Sequence, residues 1–239
     1  MGKLSSHVVA AIVLVALALC PVAARADSTA VYLGSSGVYS ASAMFYLSGN
    51  TLTVTLTNTS SADVLVPTDV LTGLFFDATH GVTPVSANLN GSSVYYGTLT
   101  NVGDGWGYGS GLSAQGKNSA ISATGAVNGL GHSNFSGANN HLDGLDYGLL
   151  SKGDNTNTGN GGLHGPLILD SAQFVLTTAN GFTLNELGNT VVFQYGTALT
   201  DRHYNGTLQP VPEPPVTALL SCSVLLFGGL FRRFHWSLF

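Results

Sequence analysis

The chain has 239 residues, of which only 8% are charged and 31 are glycine; ordinary soluble domains carry about 25% charged residues and ~7% glycine. Between Asp27 and Val211 three basic side chains (Lys117, Lys152, Arg202) stand against eleven acidic ones, a net charge of −8, and this excludes nucleic acid as a partner, since neutralising phosphates takes clustered Lys and Arg. Low charge with abundant Gly, Thr, Ser and Asn points away from a cytosolic enzyme and toward an extracytoplasmic all-β protein with a single core of about 180 residues.

At the start of the chain, Lys3 precedes the apolar run Val8 to Leu19 and then "CPVAARADS". A basic n-region, a short apolar h-region and the small residues Ala24 and Ala26 make residues 1–26 a signal peptide, read by the general secretion machinery and cut by signal peptidase before Asp27. The run falls short of the ~20 residues that cross a bilayer. The two cysteines, Cys20 and Cys222, lie in the terminal apolar segments. The body, residues 27–210, therefore has no disulfide.

Strand signals follow in order. Ala30 to Leu33 is the first, and "ASAMFYLSGNTLTVTLTNTS" the clearest. There Leu52, Val54 and Leu56 alternate with Thr51, Thr53, Thr55 and Thr57, the pattern of a half-buried strand. Gly49-Asn50 predicts a two-residue hairpin turn, as do Asn90-Gly91 and Asn180-Gly181. Further strands are predicted at Val70 to Phe76, Ala120 to Ala123, Leu167 to Thr177 and Thr190 to Tyr195. No stretch of the body keeps a 3.6-residue apolar period over a helix length. The fold class is all-β, a single antiparallel β-sandwich of eight or so strands, with jelly-roll and Ig-like topologies both open. Gly103 to Gly165, rich in Gly and Asn, reads as long loops at one end of it.

Chemistry is sparse. His80, His132, His141, His164 and His203 show neither H-E-x-x-H nor a paired spacing, and no G-x-S-x-G elbow occurs. The stretch "GDGWGYGSG" fails G-x-G-x-x-G at its last position and reads as a loop offering Trp106 and Tyr108, aromatics suited to stacking on a sugar ring. Asp143, Asp146 and Asp154 are the calcium candidates, supplying hard oxygen ligands. From Asp154 the EF-hand pattern breaks, with Thr156, Thr158 and Gly165 where stronger ligands belong. No cofactor and no catalytic residue are assigned. Asn58, Asn90, Asn134 and Asn205 each open an N-x-S/T sequon, which marks surface positions where a cell glycosylates.

Residues 211–239 close the chain with "VPEPPVTALLSCSVLLFGGLFRRFHWSLF". Val216 to Phe231 has no charge and amounts to ~24 Å as a helix, a short transmembrane helix. Arg232 and Arg233 form the cytoplasmic stop, because carrying guanidinium charge through lipid is costly. Pro212-Glu213-Pro214 cannot enter the helix and offers an extended tripeptide that a protease can grip.

A "VPEP" core, one short apolar helix and an Arg pair resemble the PEP-CTERM sorting signal. The resemblance implies recognition by the membrane transpeptidase exosortase, removal of the tail near Pro212-Glu213-Pro214, and transfer of the body to the surface of a Gram-negative bacterium that makes exopolysaccharide. The body also resembles a group of exosortase-dependent surface proteins of uncharacterised function, through "LTVTLTNTSSADVLVPTDVLTGLFFD", "GDGWGYGSG", "DGLDYGLLSKGDNTNTGNGGL" and "VVFQYGTAL". The expectation is a non-enzymatic cell-surface or matrix protein associated with exopolysaccharide and biofilm. It passes through a membrane-anchored intermediate. The alternatives are a carbohydrate-binding module, with or without calcium, and a secreted hydrolase.

Overall fold

The computed structural model describes residues 27–95, 102–124, 133–135, 142, 145–158, 163 and 165–210. Among them run fourteen strands: β1 (Ser28–Ser36), β2 (Tyr39–Ser48), β3 (Thr51–Asn58), β4 (Leu71–Phe76), β5 (Val82–Leu89), β6 (Ser93–Tyr95) and β7 (Gly107–Ala114), then β8 (Lys117–Ser122), β9 (Ser133–Asn134), β10 (Leu149–Leu150), β11 (Leu167–Leu169), β12 (Ser171–Thr178), β13 (Thr190–Tyr195) and β14 (His203–Leu208). The described helical turns are short 3₁₀ segments, and none is long and apolar enough to cross a membrane. The all-β, antiparallel expectation holds; one pair, β10 with β11, is parallel.

The strands form one sheet in the order β5-β12-β3-β2-β1-β14-β13-β4-β10-β11-β6, and β4 also carries a branch, β8-β7-β9. Since β11 and β12 are one stretch of chain broken at Asp170, whose φ is +84°, the path that leaves β12 through β3 comes back to β11 through β10. The sheet thus curls until it nearly closes. Asn58 sits at the seam, fully buried. Its Nδ2 donates to the Leu149 carbonyl (3.0 Å), its Oδ1 accepts from the Ser60 N–H, and its backbone bonds to Asp170 and Lys152. One side chain therefore satisfies polar groups of both sheet ends where ladder pairing runs out.

Only the first of the three expected hairpins forms. Gly49, at φ +58°, and Asn50 join β2 to β3 in register from Ser48–Thr51 to Ala41–Asn58. Asn90-Gly91 instead bends an edge: β5 pairs with β12 and β6 with β11, so the bend matches the break at Asp170 on the neighbour. Ser92 Oγ donates to the Ser171 carbonyl (2.6 Å) and Ser171 Oγ to that of Asn90 (3.2 Å), holding the bend. After Asn180-Gly181 the chain enters the 3₁₀ turn Leu184–Leu187, closed by a Thr183/Glu186 capping box. The region 103–165 also departs from the loop reading, since β7, β8, β9 and β10 all lie within it.

Inward residues from every side fill one main core, with Tyr32, Phe45, Leu56, Phe76, Trp106, Phe174 and Phe193 among its members. A second cluster covers the outside of β4, β8 and β13, where Phe75, Ala120 and Val192 pack under Leu112 and Ala114 of β7. All six residues of β4 are consequently buried. The outward residues of β1, β2, β3, β12 and β5 have no such cover: Leu33, Met44, Tyr46 and Val85 are exposed there.

Candidate functional site

The sugar-stacking pair is overturned by burial. Trp106 is completely buried and Tyr108 nearly so. The indole packs 4.9 Å from the Phe174 ring and donates from Nε1 to the Tyr147 carbonyl at 2.9 Å, while the Tyr108 hydroxyl donates to Ser119 Oγ. Burial pushes the Tyr108 phenol pKa up. Glycine at every second position of "GWGYG" removes side chains from the opposite face, so the aromatics turn inward. These are core anchors, consistent with how large aromatics with one polar atom are used in proteins.

Of the calcium candidates, Asp146 and Asp154 fall in no cluster of metal ligands among the described residues. Asp143 lies outside the described residues. Asp146 abuts Gly165, and its charge helps to raise the pKa of Tyr147 after burial has done most. Asp154 accepts from the Val64 N–H at 2.8 Å and has a buried second oxygen without a partner. Burial, with a smaller push from Asp63, raises its pKa. Asp63 itself accepts from the Asn155 N–H and the Thr158 hydroxyl. Among the described residues, no three His, Cys, Asp or Glu side chains gather as a metal site. His80 is bound to Glu186 (Nδ1 to Oε1, 2.7 Å), His203 Nδ1 lies 2.9 Å from the Asp201 carbonyl oxygen, and His132, His141 and His164 lie outside the described residues.

Glu186 works as a structural clasp. Burial alone would raise its pKa, but hydrogen bonds from the Thr79 hydroxyl and from the Thr79, His80 and Thr183 N–H groups hold it down at about 2. A tyrosine cluster fastens the other end of the sheet. The Tyr195 and Tyr204 hydroxyls meet at 2.9 Å, Tyr39 stands edge-on to Tyr195, and Arg202 lies 3.6 Å above the Tyr39 ring. Tyr39 donates to Asp69. Burial pushes Tyr195 to about 12 and moves Tyr204 in the same direction, so neither phenol ionises near neutral pH.

The uncovered side of the sheet is open to a ligand. None of the forty-three residues of β1, β2, β3, β12 and β5 is Asp, Glu, Lys, Arg or His. Hydroxyl-bearing side chains project outward in rows, such as Ser42–Thr57 and Ser48–Thr51–Thr177, ~4.8 Å apart across strands and ~6.7 Å along them. At one end the surface dips into an open groove of about 450 Å³, walled by Leu33, Ser35, Ser40, Thr59, Asn205 and Thr207. Gly34 makes the dip: a Cβ there would stand 2.8 Å from the Asn205 carbonyl oxygen, so only glycine lets β14 cross so close to β1. Period-two alternation announces which residues of β1 and β2 face outward. The groove escapes sequence reading because β14, which supplies Asn205 and Thr207, carries no strong strand pattern.

Two of the four sequon asparagines are surface positions, Asn90 and Asn205, whereas Asn58 and Asn134 are buried. The cleavage residues Ala24 and Ala26, the motif Pro212-Glu213-Pro214, the apolar run Val216 to Phe231 and the pair Arg232-Arg233 lie outside the described residues. Compared with protein-family models, with curated proteins and with solved structures, the chain has no match.

Proposed function

We propose that this is a non-enzymatic, exported protein of the bacterial cell surface or extracellular matrix, delivered by the general secretory route and processed by exosortase. One observation carries the reading. It is the tail "VPEPP", sixteen uncharged residues and Arg232-Arg233, paired with a signal peptide at the other end. In this account Pro212, Glu213 and Pro214 are the processing motif, the apolar run holds the intermediate in the membrane, and the arginines stay cytoplasmic. Its body is a two-layer β-sandwich, with the β1/β2/β3/β12/β5 layer facing β4, β8 and β13 across the main core, and it is displayed among exopolysaccharide.

The body is suited to such handling. The described sheet begins at Ser28 and ends at Leu208, so losing residues 1–26 and everything past Pro212 removes no described strand. β1 and β14 are paired neighbours, with Tyr32 opposite Leu208, and both ends of the body leave from the same end of the sheet. Intact-mass spectrometry of protein recovered from the native host's surface and medium tests the reading. A species running from Asp27 to the region of Pro212, alone or joined to another moiety, is expected. A species still carrying Val216 to Phe239 would reduce the tail to a plain membrane anchor.

A further inference from the structure

We propose that the groove walled by Leu33, Ser35, Ser40, Thr59, Asn205 and Thr207 is a binding site for a neutral, hydroxyl-rich polysaccharide. The proposal rests on the matrix reading above only for the expectation that such a polymer is at hand; the chemistry comes from the groove itself. Its volume of about 450 Å³ lies within the 300–1,000 Å³ of small-molecule pockets, and its open form leaves a polymer free to run through. Besides Ala41, which is buried, the lining side chains are hydroxyls and one amide around one exposed apolar contact, Leu33, which is 46% exposed. That combination offers donors and acceptors to sugar hydroxyls and a nonpolar surface to a ring's C–H face. The Asn205 amide and the Ser35 hydroxyl make no hydrogen bond of their own among the described residues, whereas Ser40 Oγ already accepts from Thr59.

Charge selects the class of polymer. The groove holds no charged side chain, and neither do the five strands that extend its surface. None of the body's three cations lines the groove: Lys117 is engaged by Asp77, Lys152 follows β10, and Arg202 stacks over Tyr39, next to Ser40 in the chain. An anionic glycan would meet a body of net charge −8 with nothing here to neutralise it, and like charges repel. A second copy of the chain is a poorer occupant, because stable self-association uses a broad apolar core and this surface is concave and mostly hydroxylated. Position agrees as well. β1 runs from the end where both body termini leave toward Ser35, so the groove lies at the far end of the strand from the point of attachment.

The test is affinity electrophoresis of the full chain in a polyoxyethylene detergent, through native gels containing dextran, hydroxyethylcellulose, galactomannan or, as the anionic case, alginate. Retardation is expected in at least one neutral gel and not in alginate. The double variant S35K/N205K should lose it at least tenfold, N205A should lose part of it, and T177K, on the same layer but away from the groove, should behave as the parent; unchanged thermal midpoints establish that the variants fold. No retardation in any neutral gel, stronger retardation in alginate, or equal retardation of parent and groove variants would each overturn the proposal. A dimer that S35K/N205K splits would assign the groove to self-association and overturn it too. The gels are blind to tail processing and the mass measurement is blind to the groove, so either reading can fail alone.

Discussion

The two sides of the sheet differ in how they are covered. On β4, β8 and β13 both faces are packed, the inner by the main core and the outer by Leu112 and Ala114 of β7. On β1, β2, β3, β12 and β5 only the inner face is packed, and the outer one carries hydroxyls and a few exposed apolar groups. The sequences reflect this. "LTGLFF" and "TVVFQY" read as almost unbroken apolar runs, as strands buried on both faces do, whereas "TLTVTLTN" and "YSASAMFYLS" alternate. One side is built as scaffold and the other is left as surface.

Breaking the scaffold side should have the largest effect. Phe75 points into the outer cluster and Phe76 into the main core, and both are completely buried. Phe75→Ala should cost about 3–5 kcal/mol, as much as Phe76→Ala, because each leaves a cavity in packed surroundings. Urea unfolding of the two variants measures this. A cost below about 1 kcal/mol for Phe75→Ala would mean that the β7 cover adds nothing and that both sides are alike.

The seam between the sides comes next. Asn58→Ala removes the donor to the Leu149 carbonyl and the acceptor for Ser60 N–H, both buried. Orphaned buried groups cost about 1–3 kcal/mol each, so a loss of about 2–6 kcal/mol is expected. Hydrogen exchange should rise first at Lys152, whose N–H bonds to the Asn58 carbonyl. Asn58→Asp tests the same point through charge, and should be worse than Ala above neutral pH, since a buried carboxylate there would face the Leu149 carbonyl.

How much of this was legible in the sequence follows from what sets each element. Alternation in β2 and β3 comes from residues a few positions apart, and it exposed the strands, their hairpin and their inward faces. Asn90-Gly91 and Asn180-Gly181 look the same locally as Gly49-Asn50, yet neither closes a hairpin. Partner choice is decided by distant chain: β12 and β11 hold β5 and β6, and a capping box directs the chain after Phe182. The burial of Trp106 and Tyr108 escapes local sequence reading for a related reason. Their glycine neighbours resemble a loop, and only the neighbouring β8 and Phe174, far off in sequence, show that the segment is a strand with its aromatics inside. The groove needs Gly34 and Asn205 to meet across 171 positions, which no local pattern encodes.

A smaller effect sharpens the comparison through pH. Glu186 clasps the loop after β4 to the turn before β13, on the scaffold side, with a folded-state pKa of about 2. A depressed carboxylate stabilises the fold above its unfolded pKa of about 4.3, and that contribution is lost as pH falls toward 2. Glu186→Gln should therefore cost about 1.5–3 kcal/mol at pH 7, the range for hydrogen bonds to a charged group. The gap between variant and parent should shrink steadily below pH 4.5 and vanish near pH 2. Thermal unfolding at pH 7, 4 and 2 follows it, and a gap independent of pH would show that the carboxylate's charge is not what holds the two loops.

The smallest effect belongs to the open face, and its smallness is the point. Thr53 projects outward from β3, with Tyr46 and Val175 opposite it on the two flanking strands. A surface substitution away from caps, cavities and buried polar groups usually changes stability by no more than about 0.5 kcal/mol, so Thr53→Lys should leave the urea midpoint almost unmoved. An equally tolerant Thr177→Lys would complete the contrast with Phe75→Ala. Freedom from stability constraint, together with the absence of charge over five adjoining strands, is then a property that folding does not require. If Thr53→Lys instead cost as much as a core change, the outer face would have to be packed against something, and the two sides of the sheet would not differ in kind.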